Sequence, residues 1–170
     1  MIAGQKVQLT EIRSGDKDAL FRWINDAALV RLHGPFRPVS AGAHDAWFAG
    51  IGKDPTHLYL AIRPAGSDEI IGLLQLMNIH PTFRSAELTI RIGASEYRGR
   101  GLGSEAVTLA TDLAFRDLNL ERVYLHVFAD NEPAIGAYTA AGLDTEGRLR
   151  RAAFVDGRWR DLLVMAKLRS

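Results

Sequence analysis

Apolar and polar positions alternate along this chain with two different periods, which predict a mixed series of strands and helices. Strand-like patterns occupy five segments before the tail: 6–12, 58–62, 70–79, 86–92 and 122–128. Helical spacing occupies four: 16–32, a short stretch after Ser40, 104–118 and a stretch after Asp130 that Gly142 ends. Two last strands, 147–155 and 159–168, are joined by Asp156-Gly157, a strong hairpin signal. The element order β-α-α-β-β-β-α-β-α-β-β indicates an α/β or α+β fold.

Length and composition restrict the class of protein. A chain of 170 residues corresponds to about one domain, expected here to span 1–170. The net charge of +1 gives no general electrostatic reason to bind nucleic acid or a membrane. Cysteine is absent, which excludes disulfides, thiol catalysis and thiolate metal sites, and the five histidines have no metal-ligand spacing. No apolar run approaches a membrane span and no signal peptide is evident, so a cytoplasmic location without a bound metal is expected.

A glycine-rich segment directly before the third helix carries the clearest chemical signal. Residues 98–104 read Arg-Gly-Arg-Gly-Leu-Gly-Ser, and this Arg-x-x-Gly-x-Gly pattern lets several backbone N–H groups converge beside a helix N-terminus. A phosphate or pyrophosphate fits such a loop, although a plain strand-to-helix turn with a basic flank has the same pattern. The loop lacks the Gly-Lys-Ser/Thr of a nucleotide P-loop. A dinucleotide-binding domain would place it in the first strand–helix unit, whereas here half the chain precedes it.

Together with a second segment, this loop resembles the GCN5-related N-acetyltransferase (GNAT) family. The family's pyrophosphate loop matches Arg98-x-x-Gly101-x-Gly103, and its Asn-x-x-Ala-Ile-x-x-Tyr-x-x-x-Gly-Phe segment matches residues 131–143, with Leu143 in place of Phe. The resemblance implies a single-domain fold with a mixed, mostly antiparallel sheet of about six to seven strands and about four helices. The tail resembles the branch that contains ribosomal-protein N-terminal and polyamine acetyltransferases.

The resemblance also implies acetyl-CoA as co-substrate and assigns residues to bind it. The pyrophosphate would lie on the loop, and the strands on either side of the loop would splay apart to admit the pantetheine arm. The implied cofactor-binding residues are Ile90, Arg91, Ile92, Arg98, Gly99, Arg100, Gly101, Leu102, Gly103, Ser104 and Asn131. Asn131 is explained equally well as a helix cap.

Two side chains are candidates for the chemistry. Tyr138 falls at the tyrosine of the second motif, where a phenol can protonate the departing thiolate; the alternative is a core tyrosine on an ordinary helical stripe. Glu87 is the candidate general base, acting directly or through water. The alternative is a solvated strand charge beside Arg84 or Arg91.

The expected reaction is direct acetyl transfer to a primary amine in a ternary complex, because a chain without cysteine cannot form a cysteinyl acyl-enzyme. The acceptor is a protein N-terminus or a small amine, with a polyamine such as a diamine or spermidine as the alternative. Arg31, Arg37 and Arg158 on the acceptor-side segments weigh against a polycation. A non-catalytic acyl-CoA-binding regulatory module and a nucleotide-binding domain stay open, and the resemblance also suggests a homodimer.

Overall fold

A single eight-stranded sheet runs through the structure, a computed structural model that describes residues 1–170. The strand order is β1-β2-β3-β4-β5-β6-β8-β7, and every neighbouring pair is antiparallel except β5 and β6. The strands are β1 (Ile2–Ala3), β2 (Val7–Thr10), β3 (Leu58–Pro64), β4 (Gly72–His80), β5 (Ser85–Ile92), β6 (Arg122–Phe128), β7 (Asp144–Val155) and β8 (Arg158–Leu168). The two-residue β1 brings the count to eight, above the six to seven predicted.

Five α-helices flank the sheet: α1 (Lys17–Ile24), α2 (Ala27–Val30), α3 (Ala41–Gly50), α4 (Leu102–Arg116) and α5 (Glu132–Ala140). One continuous helix over 16–32 was predicted, and this prediction is wrong because the chain breaks at Asn25 and Asp26. The Asn25 side chain exchanges two hydrogen bonds with the backbone of Val39, and Asp26 caps α2. Asn25 thus bonds to a segment fourteen residues away and Asp26 starts a new helix, which stops the first helix. Ser40 caps α3 as predicted. No helix is long and apolar enough to cross a membrane.

The main core lies between α4 and the sheet. Ala106, Ala110 and Ala114 recur at every fourth position of α4 and are fully buried, so this helix approaches the strands closely. Leu74, Leu88 and other apolar side chains of the central strands complete this core. The α4 N-terminus is also tied to the β1–β2 edge of the sheet. The Glu105 carboxylate accepts hydrogen bonds from three backbone N–H groups of residues 5–7, at 2.6–3.1 Å. The glycine loop before α4 therefore starts from an anchored helix.

The irregularity of β4 lies at a different place from the one that the sequence suggested. The sequence suggested a bulge at Gly72, but the register shift lies between Met77 and His80, where Asn78 has φ of +51°. Gly72 instead allows a close approach, since a Cβ there would lie 2.5 Å from the backbone oxygen of Arg91. The hairpin turn at Asp156 and Gly157 is confirmed, and both residues have positive φ.

The parallel strands β5 and β6 pair over only three residues each. The ladder joins Ser85–Glu87 to Arg122–Tyr124 and then ends. Beyond it, β5 continues to pair with β4, while β6 continues to pair with β8 up to Phe128. The two strands consequently diverge, and a gap opens in the sheet between residues 88–92 and 125–128. This splay is the one that the sequence resemblance implied.

Candidate active site between the diverging strands

Two adjoining cavities, of about 430 and 360 Å³, lie at the gap between β5 and β6. The larger one extends from the gap toward the segment after α2, and the smaller one extends toward the glycine loop. The two cavities share five of their lining residues: Leu32, His33, Ile90, Asn131 and Tyr138. The structure thus brings the two motifs of the sequence together at one site.

The glycine loop presents a row of free backbone donors to the smaller cavity. Gly99 and Gly101 have φ of +72° and +78°, a left-handed conformation that glycine adopts without strain. No N–H group of residues 99–104 donates to an acceptor within the protein; the first bond of α4 runs from the Glu105 N–H to the Gly101 oxygen. These donors and the α4 N-terminus form a cradle that fits the pyrophosphate of coenzyme A. Helix α4 begins at Leu102, two residues before the predicted start.

The two arginines of this loop have different surroundings. The Arg98 guanidinium donates to the backbone oxygens of Ile92 and Gly93, both at 2.9 Å, so it links the loop to the end of β5. It still lines the smaller cavity. Arg100 lies over the Tyr97 ring, 5.6 Å from its centroid. In this arrangement Arg98 shapes the loop, and the donors that the loop leaves free are its backbone N–H groups.

Tyr138 lies where the two cavities meet and is only 8% exposed. Its hydroxyl makes no hydrogen bond within the protein, although its ring packs in the main core. Burial raises the pKa of Tyr138 to about 12. The phenol therefore keeps its proton at physiological pH, as a general acid must.

Glu87 is the last residue of β5 that pairs with β6, where it lies opposite Tyr124. Beyond this pair the two strands diverge. Its carboxylate Oε1 lies 2.9 Å from Nδ1 of His126, and the two side chains are only 22% and 32% exposed. The expected neighbours Arg84 and Arg91 are not its partners: Arg84 binds Asn119, and Arg91 binds no carboxylate. Only the parallel register of β5 and β6 brings Glu87 and His126 together.

Two further residues complete the walls of the site. The Asn131 side chain accepts a hydrogen bond from the Ala134 N–H at 3.3 Å and lines both cavities, so it caps α5 at the edge of the gap. His33 lies after α2. Burial of its ring against the surrounding walls, and then the charges of Arg91 and Arg98, lower the pKa of His33, although its outer surface is exposed. The Arg91 and Arg98 guanidinium groups thus place positive charge near His33.

Comparison with known proteins identifies the class to which this fold and site belong. The family model described as "Acetyltransferase (GNAT) domain" matches residues 6–144. The chain is therefore a member of the GNAT family, and acetyl-CoA is the co-substrate that this family implies.

Two of the similar proteins have different named acceptors. The chain is 39% identical over 101 residues to the spermidine N(1)-acetyltransferase of Vibrio cholerae, a match covering 59% of this chain and 58% of the relative. It is 26% identical over 142 residues to the [ribosomal protein uS5]-alanine N-acetyltransferase of Escherichia coli, covering 78% of this chain and 73% of the relative. The match thus spans little more than half the length of the spermidine acetyltransferase.

Similarity to a solved structure extends over nearly the whole chain. The spermidine N-acetyltransferase of Vibrio cholerae, solved in complex with CoA and spermine, superposes with a TM-score of 0.88 at 27% identity. The superposition covers 96% of this chain and 95% of that one. The α+β fold with its mixed, mostly antiparallel sheet is thereby confirmed.

Proposed function

We propose that this chain transfers the acetyl group of acetyl-CoA to a primary amine by direct attack within a ternary complex. The observation that carries the proposal is the arrangement of one gap, with six consecutive free N–H groups at one end and the Tyr138 hydroxyl at its centre. An anion-binding cradle beside a buried, protonated phenol suits a substrate with a phosphate handle and a thiolate leaving group. The cytoplasmic location and the homodimer expected from the sequence are part of this proposal.

Each step assigns a role to a residue of the chain. Backbone N–H groups of residues 99–104 hold the pyrophosphate, and the free edge of β5 near Ile90 aligns the pantetheine arm. Acetyl-CoA supplies the acetyl group as a thioester. As the N–C bond forms and the C–S bond breaks, Tyr138 donates its proton to the leaving thiolate. Glu87 receives the proton released by the amine, directly or through water, with His126 holding its carboxylate in place.

The names of the similar proteins support a polyamine as the acceptor. Both the relative with 39% identity and the solved structure with a TM-score of 0.88 are spermidine acetyltransferases. Spermidine is therefore the first acceptor to test. The ribosomal-protein relative supports the second candidate, a protein N-terminus. A regulatory module that binds acyl-CoA without turnover is the alternative from another class.

Thiol release from acetyl-CoA across a panel of amines tests the reaction. The panel contains spermidine, free amino acids, and peptides with Ala or Ser at their N-termini, and calorimetry measures coenzyme A binding in parallel. Turnover with any of these amines supports the transferase. Tight binding with no turnover on the whole panel would instead support the regulatory module.

Glu87→Gln and His126→Gln separate the roles of the paired side chains. Glu87→Gln removes the base, and we expect kcat to fall about 10²-fold or more with unchanged coenzyme A affinity. His126→Gln keeps a hydrogen-bond donor beside Glu87, so we expect a smaller loss, about tenfold. Equal activity of Glu87→Gln and the unmodified protein would remove Glu87 from the mechanism.

A further inference from the structure

A third cavity, of about 290 Å³, adjoins the acceptor side of the gap. It lies under α1 and α3 and shares Leu73, Gln75 and Arg91 with the larger gap cavity. On the adjacent strands Leu73 is directly opposite Arg91, so these side chains form a common wall between the two spaces. Most of the remaining lining is apolar: Leu20, Trp23, Ile24, Val39, Ala43 and Trp47, with His44 the exception. We call this space the Trp23–Trp47 cavity.

The Arg91 guanidinium in this wall has no partner. It makes no hydrogen bond or ion pair within the protein, and its Nε is buried without an acceptor. Burial lowers the pKa of Arg91, and no carboxylate offsets this effect. Three other arginines that are buried or half-buried, Arg63, Arg122 and Arg160, each donate to a carboxylate. A half-buried guanidinium without an acceptor is unfavourable, so Arg91 has the properties of a group that binds an anion supplied by a ligand.

His44 provides a second, independent indication of a ligand. It is 4% exposed, lines the Trp23–Trp47 cavity and packs against Phe21 and Trp47, with ring centroids 5.1 and 5.2 Å apart. Its Nε2 is buried and has no hydrogen-bond partner. Buried polar atoms are nearly always satisfied in folded proteins. Two unsatisfied polar side chains on one apolar cavity therefore point to a molecule that is flat or branched and apolar, with a polar end.

Charge restricts the class of acceptor further. No aspartate or glutamate lines any of the three adjoining cavities, whereas Arg91 and Arg98 do. The Glu87 carboxylate, the proposed base, lines none of these cavities and is paired with His126. The charged side chains that a polycation would meet in these cavity walls are the arginines, which disfavours it.

We propose that the acceptor is an apolar L-α-amino acid. Its carboxylate pairs with Arg91, its side chain fills the Trp23–Trp47 cavity, and its amine extends into the gap toward Tyr138. This inference rests on the proposed acetyl transfer and names the acceptor class for it. A bidentate guanidinium–carboxylate contact would fix the amine at the shared wall of the two cavities.

L-Phenylalanine and L-phenylalaninamide form the matched pair that tests the carboxylate. They share the side chain and the α-amine, and only the first carries an anion. Thiol release should give a kcat/KM about tenfold to a hundredfold higher for L-phenylalanine, as expected for a charge-assisted hydrogen bond. Arg91→Met should abolish this difference by lowering the value for L-phenylalanine alone. Arg22→Met, an exposed arginine on α1, is the matched control and should change neither value.

A second variant tests the side-chain cavity without disturbing the core. Ala43 lines the Trp23–Trp47 cavity but is exposed, so Ala43→Phe can fill the space while the helix stays folded. It should lower kcat/KM for L-phenylalanine at least tenfold and leave glycine unaffected. Equal activity on the acid and the amide, or spermidine as a better acceptor than every amino acid, would overturn the proposal.

Failure of the transfer reaction can be told apart from failure of this inference. If no amine releases thiol, the proposed acetyl transfer is wrong. Calorimetric titration of L-phenylalanine into the coenzyme A-saturated protein then tests separately whether the proposed amino-acid site binds its ligand. Binding that Arg91→Met abolishes supports the amino-acid site, and absence of binding to the unmodified protein overturns it.

Discussion

Replacement of Tyr138 by phenylalanine removes one oxygen atom from the centre of the proposed active site. The hydroxyl makes no hydrogen bond within the protein and the ring is 8% exposed, so Tyr138→Phe keeps the packing and leaves no protein group unpaired. We expect the free energy of unfolding at neutral pH to change by less than about 1 kcal/mol. Loss of a general acid should lower kcat about 10²- to 10⁴-fold, which corresponds to about 3–5 kcal/mol of transition-state stabilisation.

Because the pKa of Tyr138 is raised, the same substitution should also change how stability depends on pH. Folding raises this pKa from 10 to about 12. Above pH 10 the unfolded chain loses the phenolic proton while the folded protein keeps it, so stability falls as the pH rises through this window. A shift of two units corresponds to about 3 kcal/mol. Tyr138→Phe should lack this part of the alkaline loss, which urea unfolding at pH 9 and pH 11.5 measures.

Three measurements on the Tyr138→Phe variant together decide whether Tyr138 is a general acid or a core tyrosine. Thiol release gives kcat, calorimetry gives coenzyme A affinity, and urea unfolding gives stability. A large loss of kcat with unchanged affinity and neutral-pH stability supports the general acid. Unchanged kcat, or a loss of kcat matched by a loss of stability at neutral pH, would mean that Tyr138 is a core tyrosine and the reasoning is wrong.

Other predictions concern the cofactor loop, the core and the assembly. Gly101→Ala should weaken coenzyme A binding about tenfold in calorimetry, because alanine is strained by about 1–2 kcal/mol at φ of +78°. Gly136→Ala, in the middle of α5 with open space around it, is the matched control and should leave binding unchanged; weaker binding there too would implicate the fold instead. Arg63→Met leaves the buried carboxylate of Asp16 unpaired and should lower the urea-measured free energy of unfolding by about 3–5 kcal/mol, whereas a loss below about 1 kcal/mol would contradict this role. Sedimentation should detect a dimer, and a monomer at all concentrations would refute that expectation.

Local features of the site could be predicted from the sequence because each depends on a few consecutive residues. Positive φ at Gly99 and Gly101 follows from glycine's conformational freedom, and the helical spacing behind the loop predicts a helix there, with a start two residues later than the observed Leu102. The Asp156-Gly157 turn fixes the last hairpin for the same reason. The helix break at Asn25 was missed, because its cause is a pair of hydrogen bonds to Val39, fourteen residues away.

What the sequence by itself determined, then, is most of the order of elements, the glycine loop before α4 and the position of the candidate acid on its helix. Tertiary structure alone decided which side chains meet. Glu87 and His126 are 39 residues apart and become neighbours only through the parallel register of β5 and β6. Arg91 reads as one polar position of an alternating strand, and its lack of a partner depends on how α1 and α3 pack over the sheet. Such contacts are set by long-range packing, because no local propensity specifies which groups a strand residue faces across a sheet.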